Sequence, residues 1–281
     1  MARTPILTKL CFWITAILTL LGVTLRSLSM LLCFDTELGY FAKGILPTLS
    51  EVVYPVAVAA AIVIACMIPK DTLPKRLRTP ARLPLSILVG IGFVAFGALG
   101  FILCMPIATS KLLLAPLLAA LLSSLYFFLS ANKDDTFPDW LSLLGFLPIL
   151  WGVTAIAQTY TDLYTPMNSP VKITLQLGFV GLMLILTAEL RFRLGKPAPR
   201  MALALWSMGS FLCLCGSVPV IVAACAGVPL NLTHVLYAVV LLFGGAYGGY
   251  TLWQFAHTPV PVPYVMPITL TPAEPTPDNP D

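Results

Sequence analysis

Eight successive stretches, each about twenty residues long and almost wholly apolar, fill most of this sequence, and no other feature limits its fold so strongly. A window of about 19 residues, the length of helix that crosses a hydrocarbon core of roughly 30 Å, places them at 10–34, 44–68, 85–105, 112–130, 140–160, 171–190, 201–226 and 232–256. Of the 281 residues 58% are apolar and 10% charged, with a mean hydropathy of +0.93. Soluble domains carry about 25% charged residues, so a water-soluble fold is excluded. Backbone amides find no water inside a bilayer, and apolar runs of this length therefore cross as helices. The expected fold is an all-α polytopic membrane bundle of about eight helices over 1–257, its first partner the lipid bilayer. The connections at 106–111 and 227–231 are short enough to force antiparallel neighbours, and no loop is long enough to hold a soluble domain.

Orientation follows from lysine and arginine in alternate loops. With the N-terminus inside, the inner set is Arg3, Lys9, Lys70, Lys75, Arg76, Arg78, Arg82, Lys133, Arg191, Arg193, Lys196 and Arg200. The outer set is only Lys43, Lys111 and Lys172, and Arg26 is intramembrane. Twelve against three puts both termini in the cytoplasm. Arg3, Lys9, an apolar run and Ser27-Leu28-Ser29 also fit a cleavable signal peptide, which would leave seven spans. Hydrophobicity resumes through Met30, Leu31, Leu32, Cys33 and Phe34, which favours a permanent first helix. Arg76 and Arg193, Pro80 and Pro197, and Ala81 and Ala198 share an offset of 117, consistent either with a four-plus-four parallel repeat or with two basic loops obeying one charge rule. The segment 258–281 is rich in proline, holds Glu274, Asp278 and Asp281 and no basic residue, and is expected to be a disordered tail.

Charged groups are costly within a bilayer and usually face the bundle interior, so each is a functional candidate. Arg26 precedes the end of the first span by eight residues and Glu51 follows the start of the second by seven, which matches them in depth and suggests an ion pair. The pair could hold a solute or simply fix helix register. At the same level lie Tyr54, Gln158 and Gln176, with His234 opening the eighth span. Tyr160, Lys172, Asn231 and His234 also suit interfacial anchoring. Glu189 with Arg191 and Arg193 suggests a charge cluster at the inner interface. Pro55, Pro116, Pro148 and Pro219 each remove a backbone donor and can free a carbonyl. Small-residue stripes at Ala57, Ala61 and Ala65, at Ala115, Ala119 and Ser123, and at Gly244/Gly248 and Gly245/Gly249 allow close helix approach within the bundle, in a homo-oligomer or with a partner membrane subunit.

Catalytic signals are weak. Gly209-Ser210 and Gly216-Ser217 are only partial serine-hydrolase matches, and no phosphate-binding loop is present. Asp134, Asp135 and Asp139 sit in a short loop and read as a solvated turn. The seven cysteines lie in or beside apolar runs and read as packing residues, and no cofactor, metal centre or nucleic-acid partner is expected. The Asn231-Leu232-Thr233 sequon lies too close to a span to be glycosylated. Two readings follow: a small-solute transporter, or the membrane-embedded solute-binding component of one, with an outward polar cavity around Arg26, Glu51, Gln158 and Gln176; or a sensor or assembly subunit that meets a partner through small-residue faces. Short loops point to a prokaryotic plasma membrane. Cysteine-labelling reporters in 69–84 and in the tail should report the cytoplasm, and reporters in 161–170 the opposite side; the reverse pattern would overturn the orientation.

Overall fold

The computed structural model describes residues 6–69, 73, 83–107, 111–131, 139–163, 165, 166 and 168–258. Arg76, Pro80 and Ala81 of the repeat argument, the Asp134–Asp135 pair and the tail from Pro259 onward lie outside the described residues. The chain forms α1 (Ile6–Leu32), a hairpin of β1 (Phe34–Asp35) and β2 (Tyr40–Phe41), α2 (Ile45–Met67), α3 (Leu83–Leu99), α4 (Leu114–Ser130), α5 (Asp139–Leu144), α6 (Leu147–Thr161), α7 (Pro170–Arg193), α8 (Pro199–Cys225) and α9 (Leu232–His257). A π-helical turn, Gly100–Cys104, extends α3, and a 3-10 turn, Lys111–Leu113, leads into α4. Among the described residues seven helices are long and apolar enough to cross a membrane, and they pack as an all-α bundle.

The expected fifth span is not continuous. Pro148 cannot donate to the carbonyl four residues earlier, at Leu144, and the Phe146 amide bonds instead to the Leu143 carbonyl at 3.1 Å, closing a tight turn. Gly145 packs closely there: a Cβ on it would press on Leu190 Cδ2, and the Leu190 side chain would have to shift to admit one. The pair α5–α6 still carries the chain across. The end of α6 and the starts of α4, α7 and α9 line one cavity, so all lie at the same end of the bundle. This end, which carries the β hairpin, is called the hairpin end, and the opposite one, with Arg191, Arg193 and Lys196, the basic end. Ser27, Leu28 and Ser29, the alternative cleavage site, lie within continuous α1.

Helix α8 is the axis of the bundle: α1, α2, α7 and α9 all pack on it. Its most apolar window is 61% buried, as is that of α7, against 22% for α1 and for α2, which face lipid. The α7–α8 seam is made by backbone. A Cβ on Gly209 would lie 2.5 Å from the Gly181 carbonyl oxygen, and one on Gly216 would lie 2.7 Å from that of Thr174. Without a hydrophobic drive between helices in lipid, such contact is what dispersion can use. The sequence stripes also face inward: Ala57, Ala61, Ala65, Ala119 and Ser123 are buried, and Gly244, Gly245 and Gly248 pack on Leu182, Leu214 and Ile185. Only Gly249 of that helix has open space before it.

Substituting Gly209→Leu should therefore lower the thermal stability of the detergent-solubilised protein by at least about 1–3 kcal/mol, the usual range for overpacking. Gly249→Ala should stay within about 0.5 kcal/mol of wild type in the same unfolding assay.

Candidate functional site

Two cavities open at the hairpin end, separated by the hairpin itself. The hairpin is set locally. Asp35 Oδ1 accepts from the amides of Glu37 and Leu38 at 2.9 and 3.0 Å, and Gly39 takes φ +72°, which a side chain would disfavour. A Cβ on Gly39 would also touch the Pro166 ring at 3.0 Å, so the hairpin leans on the α6–α7 loop.

The first cavity, about 450 Å³, draws on every connection at this end: Glu37 of the hairpin, Cys104 and Leu113 between α3 and α4, Asp162 and Thr165 after α6, and Asn231 and His234 at the start of α9. That volume falls in the range of small-molecule sites. Asp162 organises it. Its carbonyl oxygen accepts from the buried Lys172 Nζ, and its Oδ2 accepts from Thr165 Oγ1 at 3.1 Å. His234 Nε2 lies 3.4 Å from the same Oδ2, close enough for an ion pair when the ring is protonated. Yet this nitrogen, on a residue 2% exposed, makes no hydrogen bond. A buried nitrogen without a hydrogen bond is uncommon and calls for a partner. At the floor, Gln158 Oε1 accepts from Tyr237 Oη at 3.1 Å, leaving the amide nitrogen of Gln158 as a donor. Below it the rings of Phe93, Phe96, Trp151, Phe179 and Tyr237 interlock, with centroids 4.6–5.9 Å apart, and close the way down.

The second cavity, about 460 Å³, is lined by Arg26, Glu51 and Tyr54 with Tyr40, Phe41, Asn168 and the first turns of α7. The expected polar cluster is thus divided. Arg26, Glu51 and Tyr54 share one cavity, Gln158 and His234 the other, and half-buried Gln176 lines neither. The expected ion pair is also absent: Arg26 donates to Ser50 Oγ at 3.4 Å and to the Pro170 carbonyl at 3.1 Å, while Glu51 stays exposed on the cavity wall. Ser50 directly precedes Glu51 and Pro170 opens α7, so both neutral acceptors come from neighbouring helices. Lys172 and His234, expected to suit interfacial anchoring, are buried in the first site, whereas Tyr160 is exposed as an anchor should be. Sequence reasoning missed Asp162. The available signal was its spacing, one helical turn beyond Gln158 and at the same bundle end as His234.

Two further features follow from the sequence chemistry. Pro219 cannot donate to the Cys215 carbonyl, and Tyr54 Oη takes that acceptor at 3.4 Å, tying α2 to α8. At the basic end, Glu189 and Arg193 are buried within the bundle, while Arg191 is exposed. They form a 3.2 Å salt bridge to which Tyr247 Oη adds a 2.7 Å hydrogen bond. No family model, curated protein or solved structure matches the chain.

The proline-freed carbonyl generates a double-mutant test. Tyr54→Phe should cost about 0.5–1 kcal/mol with Pro219 present, typical of an interhelical bond in a membrane protein. It should cost measurably less in a Pro219→Ala background, where an intrahelical amide reclaims the carbonyl; additivity in thermal unfolding would disprove the link.

Proposed function

We propose that this multi-pass membrane protein binds a small polar solute in the first cavity, as a transporter or as the membrane-embedded solute-binding component of one. The hairpin end would face outward and both termini the cytoplasm of a prokaryotic plasma membrane, in keeping with the twelve-to-three charge count. The observation that carries the reading is the unbonded His234 nitrogen beside the Asp162 carboxylate on the wall of a cavity of ligand size. Asp162 and Glu37 supply acceptors and negative charge, and the Gln158 amide supplies a donor. The solute is therefore one with hydrogen-bond donors or a cationic group to set against Asp162. In this conformation the aromatic floor stops it, so onward movement requires parting the Tyr237–Gln158 bond between α9 and α6.

Native mass spectrometry of the purified protein, followed by a thermal-shift screen of amines, amino acids and sugars, tests the proposal. A solute that stabilises wild type should lose at least about tenfold in affinity in Asp162→Asn and His234→Ala, as the loss of a charge-assisted bond implies. Gln176→Leu, outside both cavities, should bind normally. A wild type that is stabilised by no solute and instead co-purifies stoichiometrically with another membrane chain would favour the sensor or assembly-subunit reading.

A further inference from the structure

The second cavity differs from the first in its chemistry and its lining residues. Its guanidinium, on a residue 4% exposed, sits 4.6 Å over the Phe41 ring and donates to two neutral oxygens. Arg26 has five N–H donors, so three remain without a protein acceptor, and no carboxylate among the described residues reaches it as an ion pair. The 27 residues of α1 make a helix of about 40 Å, which overshoots a core of about 30 Å by roughly 5 Å at each end. Arg26, six residues before Leu32, then lies only about 4 Å inside the hydrocarbon boundary, within side-chain reach of the lipid phosphate layer.

The surroundings say which anion fits. Helices α2 and α7 both flank α8 without packing extensively on each other, so the cavity lies in the cleft between them, on the lipid side of the bundle. Ile173 on its rim is 44% exposed. Below the polar groups Leu177 continues the cavity wall, and half-buried Leu184, two turns further along α7, packs with it on the buried core of Val53, Ala57 and Leu212. Above, Tyr40, Phe41 and Asn168 form a roof. Glu51, on the same wall but beyond ion-pair contact with Arg26, adds a carboxylate, and Pro55 leaves the Glu51 carbonyl without its intrahelical donor. A cation and an anion on one cavity wall, beside the apolar Ile173 and Leu177 of α7, complement a headgroup that carries a phosphate and an ammonium side by side. We propose that this cavity binds the phosphoethanolamine headgroup of a bilayer phospholipid entering sideways between α2 and α7, with its phosphate on Arg26, its ammonium on Glu51 and an acyl chain along Leu177 and Leu184. A lipid with phosphate alone would leave Glu51 facing an anion.

The test uses the full chain in nanodiscs of equal phosphatidylethanolamine and phosphatidylglycerol, released into the mass spectrometer. Wild type should retain phosphatidylethanolamine preferentially, and millimolar soluble O-phosphoethanolamine should not displace it. Arg26→Gln should reduce retention by about tenfold or more, and Glu51→Gln should shift the preference toward phosphatidylglycerol. Leu177→Trp, which fills the apolar side of the cavity and leaves both charges in place, should exclude the lipid from a protein of unchanged elution volume, so the idea stays testable even where Arg26→Gln fails to fold. Equal retention of the two lipids by wild type, undiminished retention in a folded Arg26→Gln or Leu177→Trp, or displacement by the soluble headgroup would each overturn the assignment. The last result would give the site to a water-soluble ligand.

Discussion

The seam between α7 and α8, where Gly181 and Gly209 bring two backbones together, is the contact on which the rest of the bundle depends. Lipid offers no hydrophobic reward for joining two apolar helices, so the reward must come from surface fit and from polar groups that find no partner elsewhere. Removing side chains at these two positions supplies the fit. Once α7 lies against α8, the start of α7 delivers Lys172 to the Asp162 carbonyl and the Pro170 carbonyl to Arg26. The opposite face of α8 receives α1, where Gly22 fits against Cys215 and Phe211. Each cavity is thus positioned from a seam that contains no functional side chain.

The fold was largely legible in the sequence because hydrophobic length is a one-dimensional property. Runs of the right length had to cross, and the stripes at Ala57, Ala61 and Ala65 had to face a neighbour. The break at Gly145 and Phe146 was less visible: Pro148 announced a weakness, but whether a proline bends a helix or divides it depends on the space its neighbours leave. The packing role of the α7–α8 glycines was not legible: Gly209 and Gly216, seven apart, stood out only as partial hydrolase matches, and Gly178 and Gly181 lie three apart, outside the usual small-residue spacing.

The candidate site was legible only in part, and for a different reason. Position along a span can be read from sequence, and Arg26, Glu51, Gln158 and His234 all line cavities at the hairpin end. Azimuth cannot: the face each helix turns inward depends on packing, and packing divided these residues between two cavities. Asp162 stands just past a helix end, where a carboxylate ordinarily meets water. Its importance comes from Lys172 and His234 arriving from other helices.

The β hairpin presents Thr36, Glu37 and Gly39 to one cavity and Tyr40 and Phe41 to the other. It is a partition only eight residues long from Phe34 to Phe41, pinned at one tip by Asp35 and braced against Pro166. A partition shared by two chambers makes their contents thermodynamic neighbours. Were both chambers filled, a tilt of the hairpin from one side would change the volume on the other, and linkage would make the effect reciprocal. The composition of the surrounding bilayer would then set the affinity of an aqueous site that no lipid touches.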